Sequence, residues 1–150
     1  MMDNDIKNTM DGLNIGIIIV DEESNIIYSN PKSGEILNFY EIENLSEYDD
    51  IYYYYDPITN KEINLNDLPI AITLKTGEPV KNFLMMVKNK KNGTETYVNT
   101  NSYLVDKKDG KRIAAVEIED VTPNFLNKKL ISELTNKLDE LTNIIKRSLI

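Results

Sequence analysis

The sequence contains no cysteine, no histidine and no tryptophan, and its aromatic residues are nine tyrosines and three phenylalanines. Without cysteine there is no disulfide, thiolate nucleophile or iron–sulfur ligand. Without histidine there is no imidazole base and no histidine ligand for haem or zinc. Any metal site would therefore consist of oxygen ligands alone, and much enzyme chemistry is excluded.

The balance of charge is acidic, with 17 Lys and Arg against 25 Asp and Glu and a formal net charge of −8. An acidic surface repels phosphate backbones and anionic membranes, so direct nucleic-acid binding is excluded. The sequence lacks a run of about 18 apolar residues, and residues 1–8 are polar and acidic. We therefore expect a cytoplasmic protein without a membrane span or signal peptide.

The beginning of the chain predicts a hairpin followed by a helix. Residues 16–20 and 26–28 are apolar runs joined by a polar turn, which is typical of a β-hairpin. Asn30 before Pro31 predicts a helix start, because asparagine caps helices and the fixed φ of proline suits the first turn.

A second helix is predicted from Asn66 and Asp67 to Gly77, where glycine favours a helix stop. The segment 41–66 is assigned to loops and short helical turns. It contains the run of tyrosines at 52–55, which is interpreted as packing under a loop, with a lid over a ligand pocket as the alternative.

Three further strands are predicted at 82–88, 97–105 and 113–120, joined by turns at Asn92-Gly93 and Asp109-Gly110. Together with the first hairpin they make a five-stranded antiparallel sheet. Because the helices fall between the hairpin and the last three strands, we expect them on one face of the sheet. The predicted fold class is α+β.

The C-terminal segment is predicted to be an amphipathic helix that follows a change of character at Pro123. Its apolar residues recur in steps of three and four, as in the seam of a short coiled coil. A single helix folded back on its own domain is the alternative. The predicted organisation is an N-terminal helical cap over 1–12, a domain over 13–122 and a signalling or dimerisation helix over 123–150. The predicted dimer seam comprises Ile131, Leu134, Leu138, Leu141 and Ile145.

Over roughly residues 10 to 122 the sequence resembles a PAS sensory domain. The first matching segment runs from Gly16 to Asp21 and continues from Asn25 to Pro31, like the opening hairpin and next helix of the family. Residues 68–80 are similar to the helix and linker that precede the last three strands. The third segment, Asp109-Gly110 followed by Asp120-Val121-Thr122, resembles the turn and the Asp-Ile-Thr signature before the output helix.

The resemblance implies a ligand pocket between the sheet and the helices. It also departs from the flavin-binding branch of the family, because the cysteine of the photoadduct is absent and Ile118 stands where that branch has glutamine. A covalent flavin adduct and histidine-ligated haem are therefore excluded, whereas a noncovalent small molecule remains compatible. The pocket residues that the resemblance implies are Ile18, Val20, Leu37, Tyr40, Leu68, Ile72, Leu84, Met86, Tyr97, Asn99, Asn101, Val116 and Ile118.

A polar stripe runs along the fourth predicted strand, where Tyr97, Asn99, Asn101 and Tyr103 alternate and must share one face. Buried amides without partners cost about 1–3 kcal/mol each, so these side chains are expected to bind a small polar ligand such as a carboxylate. Two alternatives stay open. A register one residue away turns the stripe toward solvent or a dimer partner, or water molecules fill the pocket.

The sequence thus predicts a sensory module that is not itself an enzyme, binds a small ligand or forms a homodimer, and passes its state to an effector. The effector is expected to be a histidine kinase or transcriptional regulator, reached through Asp120, Val121 and Thr122. The first alternative is a purely structural dimerisation domain without a ligand. The remote alternative is a small α+β barrel isomerase with an Asp base and a Tyr donor, for which Asp21 and Asp120 lie near strand ends.

Overall fold

A computed structural model describes residues 3–38 and 44–149. Within these ranges it contains five α-helices, six strands and two short 3₁₀ turns, at 45–47 and 65–67. The helices are α1 (Asn4–Asp11), α2 (Pro31–Leu37), α3 (Tyr48–Ile51), α4 (Pro69–Thr76) and α5 (Thr122–Ser148). The strands are β1 (Gly16–Asp21), β2 (Ile26–Ser29), β3 (Tyr52–Tyr55), β4 (Val80–Asn89), β5 (Glu95–Lys108) and β6 (Lys111–Asp120).

The strands form one antiparallel sheet in the order β2-β1-β6-β5-β4-β3. The α+β class is confirmed, but the sheet has six strands rather than the predicted five. The additional strand is the tyrosine run, which was predicted to be loop. Tyr52 and Tyr54 are buried while Tyr53 is exposed, so this edge strand has the alternation of a half-buried strand, which a row of identical side chains conceals in the sequence.

Two predicted helix ends are confirmed, the start of α2 at its capping residue Asn30 and the end of α4 at Gly77. Asn30 is the N-cap of α2, and its side chain accepts a hydrogen bond from the Ser33 amide at 3.0 Å. Gly77 ends α4 with a positive φ of 78°, which glycine adopts without steric cost. The start of α4 was predicted too early, because Asn66 and Asp67 belong to a 3₁₀ turn and the helix begins at Pro69.

The two predicted tight turns differ. Asp109 and Gly110 both have positive φ, at 52° and 76°, as a two-residue type I′ turn requires. At Asn92-Gly93 the predicted two-residue turn is wrong. Only Gly93 has positive φ, and the Asn89 amide donates to the Thr94 carbonyl at 2.9 Å around a four-residue loop.

A β-bulge in β5 fixes which side chains face the helices. Next to the Asp109-Gly110 turn, Lys108 pairs with Lys111. If this register continued along both strands, Asn101 would lie opposite Ile118. The register shifts between Leu104 and Asp106, so that Thr100 pairs with Ile118 instead. Because side chains alternate along a strand, this one-residue shift turns the whole polar stripe to the other face.

The main core lies between the sheet and the helices of residues 31–76. It consists of alternate residues of the strands, including Val20, Val87 and Val98, with Leu68 and Leu74 from the helical side. A smaller apolar cluster on the opposite face joins Ile17, Ile19 and Ala115, with Met10 of α1 packed against it.

The chain divides into two compact units, residues 1–120 and 121–150. The second unit consists of α5, in which none of the residues 122–148 is buried. Among the described residues, no helix is both long and apolar enough to cross a membrane. The predicted helix boundary at Pro123 agrees with the observed start at Thr122 to one residue.

Candidate functional site

A cavity of about 90 Å³ lies between the inner face of the sheet and the helical crossover. Its floor is formed by strand residues such as Ile18 and Val116, and its roof by the segment that contains Leu65, Leu68 and Ile70. The cavity is thus in the layer where the sequence predicted a pocket.

Several predicted pocket residues lie on the cavity wall. Val20 belongs to the core on the same face without lining the cavity, and Ile72 is half-buried on α4 outside it. Tyr40 lies outside the described residues. The predicted residues that line the cavity are Ile18, Leu37, Leu68, Val116 and Ile118.

Five predicted pocket residues are on the wrong face. Asn99 pairs with Leu84 and Tyr97 with Met86, so all four side chains turn away from the helices together with Asn101. The bulge in β5 is the cause, since it moves the odd-numbered residues of that strand to the open face. There the Asn101 side-chain oxygen accepts from the Asn82 amide at 2.9 Å. Asn99 and Asn101 therefore do not line this cavity, and the structure has the alternative register that the sequence left open.

The cavity wall also includes residues that were not predicted from the sequence. Met85, Val87 and Thr100 line the cavity. They alternate with the predicted residues of β4 and β5, so their side chains point to the opposite face of the sheet. Tyr48 and Tyr54 come from the segment assigned to loops. Residues 83–87 of β4 are apolar at every position, so the sequence of this strand carries no alternation that indicates its inner face.

Hydrogen bonds attach the roof to the sheet at several points. The Tyr52 hydroxyl donates to the carbonyl of Leu37 at the end of α2. The buried Ser102 hydroxyl donates to the Thr73 hydroxyl of α4 at 2.8 Å. Arg112 of β6 donates to the carbonyl of Lys75 at 2.8 Å, which caps the C-terminus of α4. Strands β5 and β6 are therefore connected directly to the helix that covers the cavity.

The chemistry of the cavity is that of an apolar core. Among the described residues that line it, none is charged, and 11 of the 16 are apolar. The Thr100 hydroxyl donates to the Phe83 carbonyl at 2.9 Å. Burial raises the pKa of the phenols of Tyr48 and Tyr52, so both rings stay neutral at physiological pH.

The two aspartates considered for an isomerase lie elsewhere. The Asp21 carboxylate accepts from the Asn25 amide at 2.9 Å in the β1–β2 turn, and Asp120 is exposed. Neither lines the cavity, so the described residues place no carboxylate base in it.

The last strand and the last helix are adjacent in sequence. Val116 and Ile118 line the cavity, β6 ends at Asp120, and α5 begins two residues later at Thr122. Each residue of the predicted dimer seam is exposed by more than half. Their exposed fractions are 64% for Ile131, 57% for Leu134, 63% for Leu138, 53% for Leu141 and 51% for Ile145.

Comparison with known proteins shows which solved structures share this architecture. No family model matches the chain, and no curated protein matches it significantly. Among solved structures, the chain is similar to the PAS domain of an HTR-like protein from Haloarcula marismortui, with 14% identity, a TM-score of 0.53, and coverage of 77% of this chain and 88% of that one.

Two further structures have the same arrangement. A PAS domain of a Colwellia psychrerythraea protein has 11% identity and a TM-score of 0.50, with 79% of this chain and 96% of that one covered. An RNA-binding light-oxygen-voltage receptor has 13% identity and a TM-score of 0.57, with 87% of this chain and 36% of that one covered.

The antiparallel sheet with helices on one face and a cavity between them thus defines an α+β architecture that these structures share. The chain has the PAS fold, as its sequence predicted.

Proposed function

We propose that the chain is a cytoplasmic sensory module in which occupancy of the cavity alters the self-association of α5. The observation that carries this proposal is that β6 contributes Val116 and Ile118 to the cavity wall and leads within two residues into α5. A shift of β6 on ligand binding would reach the helix through Asp120, Val121 and Thr122. The effector is proposed to be a histidine kinase or transcriptional regulator.

Self-association is supported by the exposed apolar seam of α5. Contiguous apolar surface of this kind marks interaction sites. In heptad terms, Ile131, Leu138 and Ile145 fall at one core position and Leu134 and Leu141 at the other. Two of the three residues at the first position, Ile131 and Ile145, are β-branched and the second position is leucine, a pattern that favours a parallel two-stranded coil. A homodimer is therefore the proposed state.

The seam is tested by substitution in the full chain. We expect Leu138→Lys to abolish dimerisation in sedimentation equilibrium, because it places two like charges in the apolar seam. The matched control is Asn136→Lys, which adds the same charge off the seam and should leave the dimer intact. Equal dimerisation of both variants, or a monomeric unmodified chain, would overturn the proposed route.

A structural dimerisation module without a ligand is the second candidate, and the small cavity favours it, since sites for drug-sized ligands occupy about 300–1,000 Å³. Native mass spectrometry of the purified chain separates the two candidates. A retained small molecule supports sensing, whereas ligand-free protein with full thermal stability supports the structural function.

A further inference from the structure

The volume of the cavity restricts its occupant. At about 90 Å³ it is smaller than an engineered protein cavity of roughly 150 Å³ that binds benzene. A flavin or haem ring requires several times this space. A molecule bound in this cavity therefore contains only a few non-hydrogen atoms.

The walls restrict its chemistry. An ionised group without a buried partner carries a large desolvation cost, and no charged side chain among the described residues lines the cavity. Ile18, Val87, Val116 and Ile118 supply apolar wall, and the Thr100 hydroxyl already donates to the Phe83 carbonyl. Apart from Tyr48, Tyr54 and Thr100, the inner walls are apolar, and cavities with apolar walls accept guests such as xenon.

An entrance is visible on one side. A surface cleft shares Ser24, Asn66 and Ala71 with the cavity, and Glu22 and Lys75 line its outer part. Asn66 is exposed, which places this end of the cavity at the surface. The charged groups are thus confined to the outer cleft, and the inner cavity is left to an apolar guest.

We infer that the cavity binds an uncharged, largely apolar molecule of a few non-hydrogen atoms, which enters beside Ser24 and Asn66. This inference rests on the proposed function in taking the cavity as the sensing site. The bound molecule replaces the missing contacts of the cavity wall, since atoms that line a void lack dispersion partners on one side.

Xenon is the probe, applied under pressure to the full chain with labelled methyl groups. We expect a saturable change in the methyl resonances of Ile18, Val116 and Ile118, and none with acetate at the same concentration. Val116→Phe fills the cavity and should abolish the xenon response. The control Val105→Phe makes the same change at a position that is 50% exposed, and should preserve the response.

If Val116→Phe fails to fold, Ile118→Val provides the second test, because it widens the cavity and should strengthen the xenon response. Absence of a saturable response in both the unmodified chain and Ile118→Val would overturn the inference. A response to acetate equal to that of xenon would also overturn it. Xenon binding without any change in dimerisation would instead leave this inference standing and contradict the proposed function.

Discussion

At the scale of single residues, Asn30 connects three parts of the fold. Its side-chain oxygen accepts from the amides of Ile17 and Ser33 at 2.9 and 3.0 Å, and its side-chain nitrogen donates to the carbonyls of Met10 and Ile15 at 3.0 and 2.8 Å. The residue is 2% exposed. One amide thus holds α1, β1 and α2 together, which is more than the capping function that the sequence predicted.

Replacement of Asn30 by alanine is therefore expected to lower the free energy of unfolding by about 2 kcal/mol or more, because it removes a helix cap and leaves buried backbone groups without partners. Urea unfolding measures the change. The control is Asn14→Ala at an exposed position, which should cost little. Similar losses in the two variants would contradict the account of Asn30.

Four tyrosines with raised pKa values predict the response to alkaline pH. The pKa values of Tyr28, Tyr48 and Tyr52 are raised chiefly by burial, and that of Tyr103 is raised to about 12 by burial and by its hydrogen bond to Glu117. The folded state retains protons that the unfolded state loses near pH 10, so the contribution to stability is complete below about pH 10 and is lost above it.

We expect the urea midpoint to fall as the pH rises above about 10, with a shallower fall in Tyr48→Phe, which keeps the buried ring but has no proton to lose. Tyr53→Phe, at an exposed ring, is the control. An unchanged pH slope in Tyr48→Phe would show that its burial does not produce the effect.

At the scale of elements, the bulge accommodates Val105 as one extra residue between the Asp109-Gly110 turn and the core residues of β5. The Asp109-Gly110 turn pairs Lys108 with Lys111, and the bulge shifts the register before Leu104 meets Ala114. Deleting Val105 would remove the bulge while each residue on both sides keeps its partner and its face.

Deletion of Val105 is therefore predicted to be tolerated, with a folded chain and a cooperative thermal transition. Deletion of Asn99 is the contrasting change, because either Val98, or Thr100 together with Ser102, would then have to turn toward the open face. Circular dichroism and thermal melting compare the two. Loss of folding in the Val105 deletion, or equal stability of both, would contradict this account of the register.

The same bulge shows which features could be predicted from the sequence and which could not. Turn and cap signals are local, so the hairpin turn at Asp109-Gly110, the cap at Asn30 and the stop at Gly77 were predicted correctly. A bulge has no comparable local signal, so the sequence left two registers open for the polar stripe, and the structure has the one that turns the stripe away from the helices. The run at 52–55 was missed because its inward and outward residues are all tyrosine.

At the scale of the whole molecule, strands β5 and β6 link the cavity to its roof. Ser102 and Arg112 bind α4 from the sheet, and Val116 and Ile118 form cavity wall on the strand that precedes α5. Two states of this strand with different α5 pairing would make occupancy and dimerisation thermodynamically linked. The residues of α5 were predictable from their periodicity, whereas the cavity volume depends on packing that the sequence does not reveal.

We propose above that the state of the cavity controls association through α5. The most direct measurement is the dimer dissociation constant of the full chain by sedimentation equilibrium, for the unmodified protein, Val116→Phe and Val105→Phe. Coupling of cavity occupancy to association predicts that filling the cavity in Val116→Phe changes this constant by about fivefold or more, while Val105→Phe leaves it unchanged. Identical constants for all three folded proteins would contradict it.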